Sequence, residues 1–207
     1  MPRFSLLNLP LEFLAIVSRQ VLNSVMKAGK HKSIGTVIMA AFAGVAITGT
    51  AADSPALENS KVRAEITAMH GKAAPELKLK DWINSKGLTS AELKGKIIVL
   101  DFWATWCGPC LAAVPKTNGL MKKYADKGVV IIGVCAVRGA EKIAETVKKH
   151  KIQYPVAIDD GTNKAFKANS YPDYYIIDRQ GNLRWGDIRN GDVEKAIEIL
   201  LKENDKA

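Results

Sequence analysis

The chain alternates between continuous apolar runs and segments whose apolar residues recur every three or four positions. Residues 97–103 and 129–137 are nearly unbroken runs of β-branched and other apolar side chains, which is typical of strands buried on both faces of a parallel sheet. Residues 108–125 and 140–150 have helical spacing instead. Strands that alternate with helices in this way predict an α/β domain.

Shorter patterns complete the predicted domain. The further elements are a strand at 77–80, a helical turn at 89–93, a strand at 154–158, a helix at 162–167, a hairpin at 174–185 and a last helix capped by Asp192. A hairpin and a helix at the end of an alternating pattern predict a sandwich in which helices flank a mixed central sheet. The sequence has no internal repeat and no nucleotide-binding glycine loop.

An apolar run near the N-terminus has the features of a targeting signal. The basic segment Lys27–Lys32 precedes the uncharged residues 33–52, which end in two alanines. Basic, apolar and small residues in this order are typical of a secretory signal, with cleavage expected after Ala52. The run is also long enough to remain as a membrane anchor.

These patterns divide the chain into three parts. We predict a targeting region at 1–52, with the signal or anchor itself at 27–52, then a polar linker at 53–69 and the folded domain at 70–207. Met26 directly precedes the basic segment of the signal. Our hypothesis is that translation of the natural protein starts at Met26.

The charge of the chain argues against one class of partner. The formal net charge is +9, from 30 basic and 21 acidic residues among 207. The basic residues are spread along the chain and form no cluster with interleaved aromatic residues, so we read them as a solvated surface. The sequence therefore does not predict nucleic-acid binding.

Two of the three cysteines, Cys107 and Cys110, lie between the first long strand and the helix that follows it. A thiol delivered to a helix N-terminus becomes reactive, because the first-turn N–H groups and the helix dipole favour the thiolate. We therefore predict that Cys107 is the nucleophile at the edge of the protein. Cys110, one turn further and shielded, then resolves the mixed disulfide. Gly108 and Pro109 allow the tight turn into the helix.

Other roles for the cysteines and histidines stay open. The pair can be half of a zinc site or a structural disulfide, although a second cysteine pair is missing and His70 and His150 have no spacing that suggests ligands. We predict no metal site and place both histidines on the surface. Cys135, late in the second buried strand, is either a small core residue or a third redox thiol near the site.

Asp101 places a carboxyl group in the middle of the apolar run 97–103. Because burial penalises the charged form, we expect a raised pKa for this side chain. It can then accept the proton that Cys110 loses, directly or through a water molecule. The alternative is an aspartate at a strand edge that faces solvent.

The segment from Asp101 to Cys110, DFWATWCGPC, resembles the active-site segment of thioredoxin-fold proteins. Residues 71–77 and 93–96 resemble the start of the TlpA/ResA-like thiol-disulfide oxidoreductases, an extracytoplasmic branch of the redoxin/AhpC-TSA superfamily. The resemblance covers roughly residues 70–203 and implies a thioredoxin-like sandwich. Asp101 then matches the buried aspartate of thioredoxin.

The resemblance also implies how substrate is held. The family proline equivalent to Pro172 is cis and lies against the disulfide, so the backbone of Tyr171 can pair with an extended substrate. Many members carry a glutamate where this chain has Ala113, which suggests that Asp101 takes over the acid function. The expected substrate-binding residues are Trp106, Gly108, Pro109 and Tyr171.

These features predict an extracytoplasmic thiol-disulfide oxidoreductase, secreted to the bacterial periplasm or anchored on the outer face of the membrane. The Gly-Pro pair between the cysteines resembles thioredoxin and implies that the protein reduces disulfides. The implied partners are protein disulfides, for example in cytochrome c maturation, and a membrane thiol electron donor; the implied redox group is the Cys107–Cys110 pair, with no cofactor. The alternatives are a peroxiredoxin-like thiol peroxidase and a redox-inert thioredoxin-like binding module.

Overall fold

Six strands form the centre of the computed structural model, which describes residues 54–204. In chain order they are β1 (Leu79–Ile83), β2 (Ile97–Trp103), β3 (Val129–Cys135), β4 (Val156–Asp159), β5 (Asp173–Ile177) and β6 (Leu183–Ile188). Their order in the sheet is β1-β4-β3-β2-β5-β6. β2, β3 and β4 are parallel, whereas β1, β5 and β6 run antiparallel to their neighbours, which confirms the predicted mixed sheet.

Helices cover both faces of this sheet. They are α1 (Arg63–Thr67), α2 (Ser90–Leu93), α3 (Gly108–Tyr124), α4 (Ile143–His150), α5 (Thr162–Phe166) and α6 (Val193–Asn204). Short 3-10 turns lie at Ala125–Lys127, Ala140–Lys142 and Asn190–Asp192. Apolar residues of α3, α4 and α6 pack in one core cluster, which we call the α3 core, and those of α1, α2 and α5 pack in the other, the α1 core.

All seven residues of β2 are buried, as the apolar run predicts. Successive side chains of a strand point to opposite faces, so Val99 and Trp103 belong to the α3 core while Leu100 and Phe102 belong to the α1 core. By the same alternation, Asp101 lies on the face that α3 covers. The strand therefore presents a carboxyl group to the helix that carries the cysteine pair.

Residues 54–69 are part of the folded domain, so their prediction as a linker is wrong. Leu57 pairs with Ile188 in an isolated β-bridge, and Ile66 on α1 is fully buried in the α1 core. Arg63 forms an ion pair with the buried Asp187, 124 residues later in the chain. The local sequence is mixed and polar because its partners come from β6, and tertiary contacts rather than local pattern fix it.

Some predicted bounds also shift. The first strand occupies Leu79–Ile83 instead of 77–80, and β4 begins at Val156, which leaves Tyr154 in the segment before it. The side-chain amide of Asn84 donates to the carbonyl oxygens of Ile152 and Tyr154, at 2.9 Å and 3.1 Å. Because these two carbonyl groups bond to the Asn84 side chain, they are not used in pairing with a neighbouring strand, and β4 begins only at Val156.

The predicted targeting region at 1–52 lies outside the described residues. Among residues 54–204, no helix combines the length and the apolar character needed to cross a membrane.

Candidate active site

A disulfide joins Cys107 and Cys110 at the junction between β2 and the N-terminus of α3. Cys107 is the N-cap residue of α3, and the backbone N–H of Cys110 donates to its Sγ at 3.2 Å. The helix N-terminus predicts Cys107 at the edge of the protein, but in this disulfide form both cysteines are 5% exposed. Both pack in the α3 core, against which the half-buried Tyr171 also packs, and this explains the difference.

The loop before β5 brings Tyr171 and Pro172 to the same place. β5 runs antiparallel to β2 with Asp173 opposite Phe102, so Pro172 lies beside the end of β2, from which the cysteine segment follows. The Tyr171–Pro172 peptide bond is cis. The Tyr171 hydroxyl accepts a hydrogen bond from Asn163 Nδ2 at 3.0 Å, which ties the side chain to α5.

Trp106 forms an exposed rim beside the disulfide. The residue is 54% exposed, and its ring meets the Tyr171 ring edge-on, with 5.9 Å between the centroids. Gly108 and Pro109, which follow the first cysteine, are exposed as well. The structure thus collects the sequence-predicted substrate residues around one surface.

The loop after β3 supports this rim, and the sequence gives no signal of it. Trp106 Nε1 donates to the carbonyl oxygen of Arg138 at 2.9 Å, and the Arg138 guanidinium lies 5.4 Å from the ring centroid. A Cβ at Gly139 would lie 2.6 Å from Thr105 Oγ1, so this close approach requires glycine. Among the described residues, Trp106 and Val137 are the large apolar side chains that are exposed, and both belong to this surface.

Asp101 is buried, which excludes the solvent-facing alternative. The Tyr154 hydroxyl donates to Asp101 Oδ2 at 3.2 Å, while Oδ1 is buried and has no hydrogen-bond partner among the described residues. Burial raises the pKa of Asp101 to about 7, although the hydrogen bond from Tyr154 lowers it. A carboxyl group with this pKa can both accept and return a proton near neutral pH.

Cys135 lies in the α3 core together with Cys107 and Cys110. It is a free thiol with no exposed surface, and burial raises its pKa to about 12. Because the thiolate is the nucleophilic form, this environment favours an unreactive thiol. The geometry therefore favours the core role of the two roles that the sequence leaves open.

A second buried carboxyl group, Asp173, directly follows Pro172. Its Oδ2 accepts a hydrogen bond from the backbone N–H of Asn169 at 3.4 Å, which ties the proline loop to β5. Burial and the negative charge of the neighbouring Asp187 raise the pKa of Asp173 well above its ordinary value. Asp173 is not among the site residues predicted from the sequence, although a carboxylate in an apolar strand is the same signal that identifies Asp101.

His70 also differs from its prediction as a surface residue. It is half-buried, and its Nε2 accepts a hydrogen bond from the backbone N–H of Gly186 at 3.0 Å. Burial, assisted by the positive charge of Arg63, lowers the pKa of His70. The neutral ring therefore joins residue 70 to the edge strand β6.

The sequence of this chain is similar to those of known proteins. A sequence model described as the AhpC/TSA family matches residues 70–186, a range that contains both site cysteines, Asp101 and Pro172. Thiol-disulfide oxidoreductase ResA of Bacillus cereus is 36% identical over 135 residues, which cover 64% of this chain and 72% of ResA. Thioredoxin-like protein YneN of Bacillus subtilis is 34% identical over 134 residues, covering 63% of this chain and 77% of YneN.

A solved structure is similar as well. The crystal structure described as thiol:disulfide interchange protein DsbE from Chlorobium tepidum superposes with a TM-score of 0.57 at 26% identity. The superposition covers 64% of this chain and 97% of that protein. The similarity therefore extends through nearly all of the solved chain and is not confined to the segment around the cysteines.

Proposed function

This chain belongs to the AhpC/TSA family and is a thiol-disulfide oxidoreductase with a thioredoxin-like fold, and we propose that it reduces protein disulfides outside the cytoplasm. The observation that carries the proposal is the Cys107–Cys110 disulfide at the start of α3, bordered by Tyr171 and the exposed Trp106. A dithiol that closes into an internal disulfide gives up two electrons, which is what reduction of one substrate disulfide consumes.

The first step is attack by Cys107 in the reduced protein. At the N-cap of α3, its thiolate is stabilised by the N–H of Cys110 and by the positive end of the helix dipole. The thiolate attacks one sulfur of the substrate disulfide, so that a mixed disulfide forms and the other substrate sulfur leaves as a thiolate.

The second step closes the internal disulfide. Asp101 accepts the Cys110 proton on Oδ1, the carboxylate oxygen that has no partner among the described residues, directly or through a water molecule. The Cys110 thiolate then attacks Cys107 Sγ, which releases the second substrate sulfur. The proton held on Asp101 passes to this thiolate, and the thiolate released in the first step takes a proton from solvent. The substrate then leaves as a dithiol while the protein reaches the oxidised form of the structure.

Substrate contacts are the exposed groups around the disulfide. An extended segment can pair with the backbone of Tyr171 beside Pro172 while its side chains lie on Trp106, Gly108 and Pro109. We infer that the substrates are proteins with accessible disulfides, such as an oxidised Cys-x-x-Cys-His segment of an apocytochrome c.

A redox titration tests the direction of the reaction. The protein is equilibrated in dithiol/disulfide buffers, and its bonded cysteines are mapped by mass spectrometry. A Cys107–Cys110 pair with a potential near that of thioredoxin, about −270 mV, supports a reductase. A potential near about −120 mV would make the protein an oxidant, and a pair that never cycles would contradict the proposal.

A trapping experiment tests the order of the two cysteines. With an oxidised Cys-x-x-Cys-His peptide, the reduced Cys110→Ser variant should accumulate a mixed disulfide at Cys107, whereas Cys107→Ser should form none. A mixed disulfide at position 110 would reverse the assigned roles. Fast turnover of hydrogen peroxide in place of the peptide would support the thiol peroxidase alternative.

The location and the electron donor belong to the same proposal. The basic segment and apolar run at 27–52 support export, and an exported reductase needs a thiol donor in or across the membrane to restore its dithiol. N-terminal sequencing of the mature protein after expression in a bacterium tests this. A periplasmic product that starts after Ala52 supports export. So does an uncleaved product of which only the N-terminal segment is protected from protease added outside the cell membrane. A cytoplasmic product contradicts export.

A further inference from the structure

Tyr154 is the side chain that touches the buried carboxyl group of the site. Its hydroxyl donates to Asp101 Oδ2 at 3.2 Å, and both side chains are almost completely buried, Tyr154 at 1% and Asp101 at 4% exposure. A phenol donates a single proton, so this bond engages one carboxylate oxygen and leaves Oδ1 open. The two oxygens of Asp101 are therefore not equivalent.

The surroundings of Tyr154 are built to hold its ring in place. The Asn84 side chain donates to the carbonyl oxygen of Tyr154 at 3.1 Å. On β3, Gly133 pairs with Asp101, and a Cβ there would lie 3.0 Å from Tyr154 Cε2 and 2.7 Å from Val156 Cγ1. The absence of a side chain at Gly133 thus gives the tyrosine ring the room in which it reaches the carboxyl group.

We propose that Tyr154 is a positioning residue for the resolving step, which holds Asp101 by Oδ2 so that Oδ1 receives the proton of Cys110. The inference rests on the proposed function, because it assigns a second residue to the same proton transfer. Tyr154 itself does not touch substrate or the reacting sulfurs in this role. It acts by orienting the carboxylate and by stabilising its ionised form.

Few other groups compete for this role. The tyrosines and cysteines that share the α3 core with Asp101 are Tyr154 before β4, Tyr174 opposite it on β5, Tyr124 and Cys110 on α3, Cys107 at its N-cap, Cys135 at the end of β3 and the half-buried Tyr171. Among the described residues, no positive charge contributes to the pKa of Asp101: burial raises it, and the hydrogen bond from Tyr154 is the favourable contact that offsets burial.

The test compares Tyr154→Phe with Tyr174→Phe in the whole protein. Both variants lose one buried hydroxyl near Asp101, but among the described residues the Tyr174 hydroxyl makes no hydrogen bond to Asp101. The first readout is the pKa of Asp101, measured by carbon-13 NMR of labelled aspartate. This measurement does not depend on activity. The second is the pH profile of mixed-disulfide resolution in a single turnover.

Removal of the Tyr154 hydroxyl should raise the pKa of Asp101 by about one unit, because a hydrogen bond to the charged form is lost. The pH midpoint of resolution should move up equally, while the rate of Cys107 attack stays unchanged. Tyr174→Phe should leave both midpoints within about 0.3 units. Equal shifts in the two variants, or none in Tyr154→Phe, would overturn the proposal.

Gly133→Ala provides a second test in case Tyr154→Phe folds poorly. The added methyl group keeps the hydroxyl but pushes the ring from its place, so a shift in the same direction is expected. An unchanged midpoint in this variant would contradict the positioning role. If the unsubstituted protein reduces no disulfide substrate, the proposed function fails. The NMR titration then still shows whether the Tyr154 hydroxyl sets the pKa of Asp101.

Discussion

At the scale of single residues, Asp101 links folding stability to pH. Its pKa of about 7 in the folded protein lies above the ordinary 3.8 of an unfolded chain, because burial disfavours the charge. Between these values the unfolded state is ionised while the folded state keeps its proton, so the free energy of unfolding falls as pH rises. Above about pH 7 Asp101 is ionised in both states, and the free energy of unfolding stops falling.

Asp101→Asn should therefore stabilise the oxidised protein at neutral pH. The difference in the free energy of unfolding between this variant and the unsubstituted protein should grow from pH 4 to pH 7. It should then level off at roughly 4 kcal/mol. Urea unfolding at several pH values measures it. A difference that does not change with pH would show that the carboxyl group is not penalised by burial. The same variant should slow resolution of the mixed disulfide.

Cys135 allows a second prediction at this scale. Since its buried thiol stays protonated at neutral pH, Cys135→Ala should leave the rate of disulfide reduction within about twofold. Loss of the buried sulfur should lower the free energy of unfolding by roughly 1 kcal/mol. Stopped-flow reduction of a disulfide peptide and urea unfolding measure the two effects. A large loss of turnover in a folded variant would restore the role of a third redox thiol.

At the scale of elements, α1 is held by two ion pairs of unequal worth. Arg63 pairs with Asp187, which is completely buried, whereas the nearby Glu65 pairs with Lys167 in solvent. Arg63 also donates to the carbonyl oxygens of Glu58 and Gly186, so it ties three segments together. A buried charge that loses its partner is costly, but an exposed pair contributes little.

Arg63→Met should accordingly lower the free energy of unfolding by about 3–5 kcal/mol, because Asp187 would be left as an unpaired buried charge. The matched control Lys167→Met removes the cation from the exposed pair of the same helix and should cost less than about 1 kcal/mol. Both values come from urea unfolding at neutral pH. Similar costs in the two variants would mean that the burial of Asp187 does not decide the strength of its pair.

At the scale of the whole molecule, the domain begins before residue 70. A protein that starts at residue 54 keeps Ile66 and Arg63, whereas one that starts at residue 70 exposes the α1 core and leaves Asp187 unpaired. The shorter protein should lose roughly 5 kcal/mol or more, which is a large part of the stability of an ordinary domain. Urea unfolding and protease resistance compare the two, and equal stability would return residues 54–69 to the role of a linker.

Local pattern was sufficient for much of the fold and for the chemical centre. The buried strand at 97–103 and the helix after it each consist of contiguous residues, so the apolar pattern of each segment predicts it directly. Cys107 and Cys110 lie at their junction, and Asp101 interrupts the apolar run. The mixed sheet also follows from the order of strand and helix patterns, because short connections restrict how consecutive elements can pack.

Contiguous residues thus encode the strand, the cysteine pair and the helix that presents it. Folding adds three contacts that no local pattern predicts: the hydrogen bond of Tyr154 to Asp101, the support of Trp106 by the loop at 137–139, and the ion pair of Arg63 with Asp187. The physical reason is the range of the interactions. Periodicity reports what neighbouring residues share, whereas the hydrogen bonds and ion pairs that tune a buried carboxyl group join side chains that only folding brings together.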